Sequence, residues 1–316
     1  MPHMTKSGIA RWTPDALPDL AGQRHLITGG NSGIGFEAAK LLAARGADVI
    51  IACRDHEKGT KALARLVNLG TGSCQLLQLD LADMAAIRAA AAEAKERFGP
   101  IHALINNAGV MQTPKRTTAD GFELQLGTNH LGHFLWTALM FDHLDKGGKG
   151  GEGAARVVTV ASIVHKFGRI DFDNLMMQRG YDPTRSYARS KLANLVFALE
   201  LHRRLVAAGS PIKSIACHPG YSDTALQGKV TNPLFKAVYK VSNAVIAQPA
   251  TRGAWPTALA AADPRAASGG YYGPTGFFDA RGPVGDSEVE PRALDAGTGQ
   301  RLWAVSEELV GETFAV

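Results

Sequence analysis

The chain has little cysteine, no long apolar run and no block of like charge. Its three cysteines, Cys53, Cys74 and Cys217, are far apart, odd in number and without a C-x-x-C pair. That argues against a disulfide framework or a thiolate zinc site and suits a reducing compartment. No apolar stretch approaches the roughly 18–20 residues that a bilayer-spanning helix needs, and the start "MPHMTKSGIARW" lacks the apolar centre of a secretory signal. The expectation is a cytoplasmic protein with no membrane span. Formal charge is +5, but Lys and Arg are scattered, with "HRR" at 202–204 among the densest groups. Nucleic acid is therefore not an expected partner, and the excess permits no more than a bias toward phosphorylated ligands.

What is present is enough for a large core. The 316 residues are 45% hydrophobic and 20% charged, a globular balance. Short apolar runs, "HLIT" (25–28), "DVIIAC" (48–53), "CQLLQLD" (74–80) and "IHALINN" (101–107), read as strands. The segments 35–46, 56–70 and 84–99 between them read as helices, each closing near a glycine suited to a left-handed cap. Further along come a helix around 122–144, a strand "ARVVTVAS" (155–162), a helix carrying Tyr187 and a strand "IKSIACH" (212–218). Parallel neighbours need helical crossovers, so this alternation predicts an α/β, doubly wound parallel sheet of about seven strands in three αβα layers, a Rossmann fold. A single domain is expected over 22–316, after an extension at 1–21. The Gly-rich 146–153 reads as a surface loop, and the Pro/Gly-rich 263–291 as a wrap on the sheet edge or a cleft lining.

Between the first strand and first helix stands "TGGNSGIG" (28–35). Helix N-terminal N–H groups bind anions, and Gly29, Gly33 and Gly35 let backbone approach a pyrophosphate, which marks a dinucleotide site rather than a plain connector. The absence of a following "GK[ST]" excludes a nucleotide-hydrolysing loop. In "SYARSKLANL" (186–195), Tyr187 precedes Lys191 by four residues, which on a helix puts phenol and ammonium on one face. A nearby cation favours phenolate, so the pair can exchange a proton, though spacing alone also fits two polar residues on a wet face.

Taken in order, "TGGNSGIG", "NNAG" (106–109), Asn129 in "TNHLGHF", Ser162 in "VAS", "YARSK" (187–191) and "PGYSDT" (219–224) resemble the short-chain dehydrogenase/reductase family over residues 22–225. The closest likeness is to the branch of retinol dehydrogenases, protochlorophyllide reductases and WW-domain oxidoreductases, through "ACRD", "NNAGVM", "DGFELQLGTNHLGHF" and "YARSKLAN". The resemblance implies an NAD(P)-dependent oxidoreductase acting on a small-molecule carbonyl or alcohol. Tyr187 would be the acid/base, and Lys191 would tune it and bind the nicotinamide ribose. Ser162 would bond the substrate oxygen, and Asn129 would hold a water linking Lys191 to solvent. Each has a plainer alternative, Ser162 satisfying a strand end and Asn129 bridging backbone. Cofactor contacts would come from Gly29, Asn31, Ser32, Gly33, Ile34 and Gly35, then Asp80 and Leu81 at the adenine. In the cofactor-binding "NNAG", Asn106 and Asn107 would hold neighbouring backbone while Ala108 and Gly109 leave room for the cofactor; Pro219 and Gly220 would shape a turn against the nicotinamide, with Thr224 near its carboxamide. Asp80 has a second reading as the cap of the next helix.

After the second strand, "ACRD" puts Cys53 where NAD-specific relatives place an acid, with Arg54 next to pair a 2′-phosphate. This favours NADP over NAD, unless Arg54 is solvated and Asp55 grips a ribose. His130 and His133, three apart, lack the carboxylate or Cys company of a metal site and read as packing, so no metal is expected. His165 is a lesser candidate for the substrate mouth. Ala161 stands where relatives carry the first serine of a pair, and the apolar "LFKAVYKVSNAVI" (234–246), in a substrate-lid region near 221–250, suits a hydrophobic substrate or a homodimer or homotetramer face. Reduction of a carbon–carbon double bond, or a cofactor-binding regulatory role with little turnover, are the alternative functions. Fold does not choose substrate.

Overall fold

The computed structural model describes residues 4–69, 72–144, 155–221 and 248–316. Six strands, β1 (Arg24–Thr28), β2 (Asp48–Cys53), β3 (Cys74–Gln78), β4 (Ala103–Asn106), β5 (Arg156–Val160) and β6 (Lys213–Cys217), fall within two residues of the apolar runs that signalled them. Between them run α1 (Gly33–Ala43), α2 (His56–Val67), α3 (Met84–Arg97) and α6 (Pro183–Ala207). The β4–β5 crossover holds α4 (Leu124–Leu126), a π-helical turn Gly127–Leu131, and α5 (Gly132–Met140). The C-terminal part supplies α7 (Ala250–Gly253), α8 (Trp255–Ala262), β7 (Tyr271–Gly276), β8 (Arg281–Asp286) and α9 (Ala296–Val310).

The strands form one sheet in the order β3-β2-β1-β4-β5-β6-β7-β8, parallel throughout except for β8, which runs against β7. The sheet thus has eight strands rather than seven. The Pro/Gly-rich section folds into the β7–β8 hairpin, which composition hid because Gly and Pro weigh against strands everywhere but at an edge. β8 is that edge, and Pro283 lies in it.

Period-two alternation divides the core. Ile27, Val49, Ile51, Ile105 and Val158 face α1 and α8, whereas Leu26, Ile50, Leu104 and Val157 face α3 and α5. The first of these cores also takes Ile9, Trp12, Leu17 and Leu20, and Trp12 Nε1 donates to Asp263 Oδ2 at 2.7 Å. The second is closed by α9, whose Trp303 stacks on Phe197 at 5.8 Å and meets Phe134 edge-on at 5.1 Å. One expected cap differs. Gly46 is left-handed (φ +90°) after α1, but Phe98, extended, caps α3, and Gly99 is not left-handed.

Strand order reverses between β1 and β4, and the crevice at such a switch point, outside the carboxyl ends of the strands, is where open α/β sheets bind ligands. The segments 146–153 and 234–246 lie outside the described residues.

Burial holds four histidines neutral, with His25, His130 and His218 pushed down to about 3 and His133 to about 4. Their folded values lie below the unfolded value of about 6.5. The unfolded chain therefore binds more protons as pH falls below 6.5, and stability present above that pH is lost toward pH 4, by up to about 1.4 kcal/mol per pH unit for each histidine. The urea midpoint is expected to drop between pH 7.5 and pH 5.5, before most carboxylates titrate; an unchanged midpoint would contradict the neutral buried state.

Candidate active site

The crevice is assembled around Thr28, the last residue of β1. Its Oγ1 accepts from Asn107 N and Ala108 N, both at 3.0 Å, and lies 2.8 Å from His133 Nε2. His133 Nδ1 lies 3.0 Å from the Asn129 carbonyl, which can only accept. The ring proton therefore sits on Nδ1, and the Thr28 hydroxyl donates to Nε2. Asn107 Nδ2 returns a bond to Thr28 O at 2.8 Å.

The glycine loop is packed onto this hub. A Cβ on Gly29 would stand 3.0 Å from Ala108 Cα, and one on Gly35 would come 2.5 Å from Gly29 O, so both positions need the missing side chain. Gly29 and Gly33 have φ of +69° and +55°. Gly35 is buried while Asn31, Ser32, Gly33 and Ile34 stay accessible at the head of α1. The helices α2, α3, α6 and α9 each begin with an aspartate whose carboxylate accepts a backbone N–H, Asp55, Asp83, Asp182 and Asp295 respectively. Ser32, heading α1, makes no such bond. The α1 N-terminus thus keeps its positive end without a local carboxylate, as a phosphate group requires.

The other expected contacts are spread along the same edge. Asp80 Oδ1 accepts from Ala82 N at 2.9 Å and its Oδ2 lies 3.8 Å from Arg54 Nε, while Asp83, not Asp80, caps α3. Leu81 is buried, with its carbonyl against Gly132. Asp55 is committed to the N-terminus of α2, accepting from Lys58 N at 3.0 Å and pairing with Lys58 Nζ at 2.9 Å. Asn106 is fully buried, its Nδ2 donating to Thr137 Oγ1 at 2.8 Å, so it joins β4 to α5 through side chains instead of holding neighbouring backbone in the cofactor site as expected. Gly220, at φ +69°, lets the turn after β6 lie against Ala280 O, which accepts from Tyr221 N and from Gln248 Nε2. Thr224 lies outside the described residues.

The residues expected to do chemistry converge from three elements. Lys191 of α6 is buried and donates to Val160 O at 3.0 Å, two residues before Ser162. Asn194 Nδ2 donates to the same carbonyl at 3.2 Å, fastening α6 to the end of β5. The ammonium lies 5.9 Å from the centre of the Tyr187 ring. A Cβ on Gly109 would be 3.6 Å from Lys191 Nζ and 3.0 Å from Asn129 Oδ1, so the "NNAG" turn abuts both. Burial pushes Lys191 down to about 8.

The Asn129 side chain is bonded to protein. Its Oδ1 accepts from Val110 N at 2.8 Å, and its two amide hydrogens go to Val110 O and Ser190 Oγ, both at 2.9 Å. The side-chain donors are spent on bridging protein groups, so a water at Asn129 would be met by an acceptor oxygen rather than by these hydrogens. Ser162 Oγ accepts from Val164 N at 3.4 Å, leaving its own hydrogen for another partner. His165 does not open on a mouth. It is buried, its Nδ1 donates to Ser162 O at 2.7 Å, and its Nε2 takes Glu290 N–H at 3.3 Å. His130, bonded to Ser306 Oγ, and His133 belong to separate networks.

Glu123 and Gln125 were not singled out in the sequence. Glu123 is buried and accepts from Gln125 N, Leu126 N and Ser186 Oγ, the last at 2.7 Å and immediately before Tyr187. Gln125 joins Gln112 N to Pro183 O at the start of α6. No local pattern signals either, because both act across a distance of some sixty residues in the chain.

Replacing Thr28 by Val keeps the shape but leaves the Ala108 N–H and the buried His133 Nε2 without the hydroxyl they share, at a cost of about 2–5 kcal/mol. Urea unfolding checks this, and a loss below about 1 kcal/mol would show that Thr28 is not the hub.

The comparisons with known proteins agree with this geometry. The short chain dehydrogenase family model matches residues 23–234. Polyprenol dehydrogenase of Mus musculus is 38% identical over 94% of this chain and 87% of its own length. Retinol dehydrogenase 12 of Homo sapiens is 40% identical over 92% and 87%. Among solved structures, an uncharacterized protein from Mycobacterium Paratuberculosis has a TM-score of 0.79 and 38% identity, covering 96% of this chain and 99% of that one. A short chain dehydrogenase from Burkholderia cenocepacia J2315, solved in complex with NADP, has a TM-score of 0.62 and 28% identity over 80% and 96%. By its sheet, its glycine loop and these matches, the chain belongs to the short chain dehydrogenase family and is an oxidoreductase of that family.

Proposed function

We propose that this chain is an NADP(H)-dependent oxidoreductase that interconverts a carbonyl and an alcohol on an apolar small molecule, with Tyr187 as acid/base. The observation that carries the reading is the buried Lys191, held on Val160 O beneath Gly109 and beside Tyr187. An ammonium buried at 4% exposure and with no carboxylate ion pair among the described residues is costly to keep, and such a group in a crevice supports a functional role.

The dinucleotide, when bound, supplies or accepts the hydride. Every other step falls to the chain. The accessible backbone from Asn31 to Ile34 at the head of α1 takes the pyrophosphate. Arg54, whose side chain is 68% exposed, meets the 2′-phosphate, and Asp55 is occupied elsewhere as a cap, which favours NADP over NAD. Tyr187 gives a proton to the developing alkoxide, or takes one in oxidation. Ser162 directs its hydroxyl hydrogen at the same oxygen. Lys191 stabilises the phenolate and bonds the nicotinamide ribose, while Asn129 keeps the Val110 turn and Ser190 in register. The relatives named for retinol and for polyprenol support an apolar alcohol as the substrate class.

A panel of ketones, aldehydes and alcohols assayed with both cofactors tests the reading. Tyr187→Phe is expected to lose at least about 100-fold in kcat; full activity would rule out the mechanism. Arg54→Ala is expected to weaken NADPH by about tenfold while leaving NADH unchanged, and a preference of the unaltered chain for NADH would overturn the cofactor assignment. In the reductive direction kcat/KM should hold below pH 8 and fall above it, since the Lys191 ammonium is lost as pH rises through about 8. A profile flat from pH 7 to pH 9.5 would remove Lys191 from the proton transfer.

A further inference from the structure

Three buried polar side chains outside the catalytic set, His165, His218 and Tyr271, cluster with residues 287–290, the stretch that follows β8. Each of the three is 1% exposed. The Tyr271 ring of β7 packs on both imidazoles, 5.5 Å from that of His165 and 5.1 Å from that of His218. A Cβ on Gly273 would overlap the His218 ring, so that ring lies directly on β7.

Hydrogen-bonding capacity fixes what each imidazole does. Ser162 O, 2.7 Å from His165 Nδ1, can only accept, so Nδ1 carries the proton and the bare Nε2 takes the Glu290 N–H at 3.3 Å. The Tyr271 hydroxyl, 3.3 Å from the same Nδ1, meets the same proton. His218 is the opposite tautomer. Its Nδ1 takes the Gly220 N–H at 3.2 Å, which leaves the Nε2 proton for Ser287 Oγ at 3.0 Å. Burial pushes both below the usual imidazole range, so both rings are neutral at pH 7.

Each ring therefore joins a residue of the site to one short stretch, Ser162 to Glu290 and Gly220 to Ser287. That stretch is itself tied down, since Ser287 N donates to Tyr271 O at 2.8 Å and Arg292 Nη1 to Gly168 O at 3.0 Å. The sheet does not set the spacing of the two site residues, because the paired register of β5 and β6 runs to Val160 and Cys217 and both residues lie beyond it. Hydride and proton must reach one carbonyl in a single geometry, where a misplacement of about 1 Å can cost about 100-fold in rate.

We infer that residues 287–290 form a strut that sets Ser162 against the nicotinamide turn at Gly220, with His165 and His218 as its positioning residues. The inference rests on the proposed function for the roles of Ser162 and of that turn, and it gives the C-terminal region a part in catalysis that acts through other residues.

The test cuts the strut at its far end, away from Ser162 and Gly220. Glu290 has φ −59°, which proline shares, so Glu290→Pro removes the N–H that His165 accepts and keeps the backbone path. Glu290→Ala is its control, since both variants lose the side-chain pair with Arg292 and only the proline loses the N–H. Ser287→Ala removes the acceptor of His218, and Ser287→Thr keeps a hydroxyl there. With NADPH and the fastest ketone or aldehyde of the panel, kcat is taken per NADPH bound, so that loss of folded protein alone does not lower it. Glu290→Pro should fall about tenfold below Glu290→Ala, and Ser287→Ala about tenfold below Ser287→Thr. Both cuts together should cost far less than about 100-fold, because the first already frees the spacing. Equal rates within either pair would overturn the proposal, as would a double variant at the full product, which would make the two histidines separate braces. If the unaltered chain reduces no carbonyl, the proposed function fails by itself. The strut is then read from the fluorescence of bound NADPH, which Ser287→Ala should shift relative to Ser287→Thr; identical emission from the two would overturn it.

Discussion

The hydroxyl of Thr28 is a single atom on which three parts of the crevice close. It accepts two backbone N–H groups from the turn after β4 and donates to His133, which in turn holds the Asn129 carbonyl in the π-helical turn. The strands β1 and β4 are neighbours at the point where strand order reverses, and the Ala108 N–H just beyond β4 would otherwise be unpaired where the sheet must stay open. Filling that need from inside frees the outer face of the turn. Gly29 and Gly35 then lie against Asn107 and Ala108 at distances no Cβ permits, and the head of α1 is left uncapped for an anion.

A second tie fixes the chemistry relative to the cofactor crevice. Lys191 and Asn194 share the Val160 carbonyl, Asn129 reaches Ser190, and Glu123 reaches Ser186. The helix α6 is therefore held on successive turns by β5, by the π-helical turn and by α4, with Tyr187 between the points of attachment. Behind Ser162, His165 clamps the Ser162 carbonyl and reaches the C-terminal segment at Glu290. The acid/base pair is positioned by buried polar bonds, which in a low-dielectric setting specify geometry more strongly than surface pairs do.

Much of this was legible in the sequence because it depends on local rules. Period and glycine placement gave β1 to β6 and the helices between them, since apolar runs buried on both faces and helix caps are short-range signals. The hairpin β7–β8 was not legible, as "YYGPTG" and "RGPVGD" contain the residues that usually end strands and are tolerated only at an edge. Among site residues, Gly29 and Gly35 lie against the turn after β4 and Gly109 abuts Lys191, whereas Asn106 is inside the core, and the cap of α3 is Asp83, which leaves Asp80 free of that second reading. Glu123, Gln125 and the clamping role of His165 had no signal, because each is defined by a partner far along the chain.

The sequence by itself determined the order of parts, a parallel α/β sheet, a phosphate-type glycine loop and a Tyr187–Lys191 pair on one helix face, because these follow from spacing and from the geometry of single elements. Tertiary structure decided what each polar atom does. Whether Asn129 has a hydrogen to spare, whether Asp55 is free for a ribose, and whether a phenylalanine is core or surface are set by which groups arrive from distant elements. Hydrogen-bonding capacity is finite and burial is collective, so neither can be read one residue at a time.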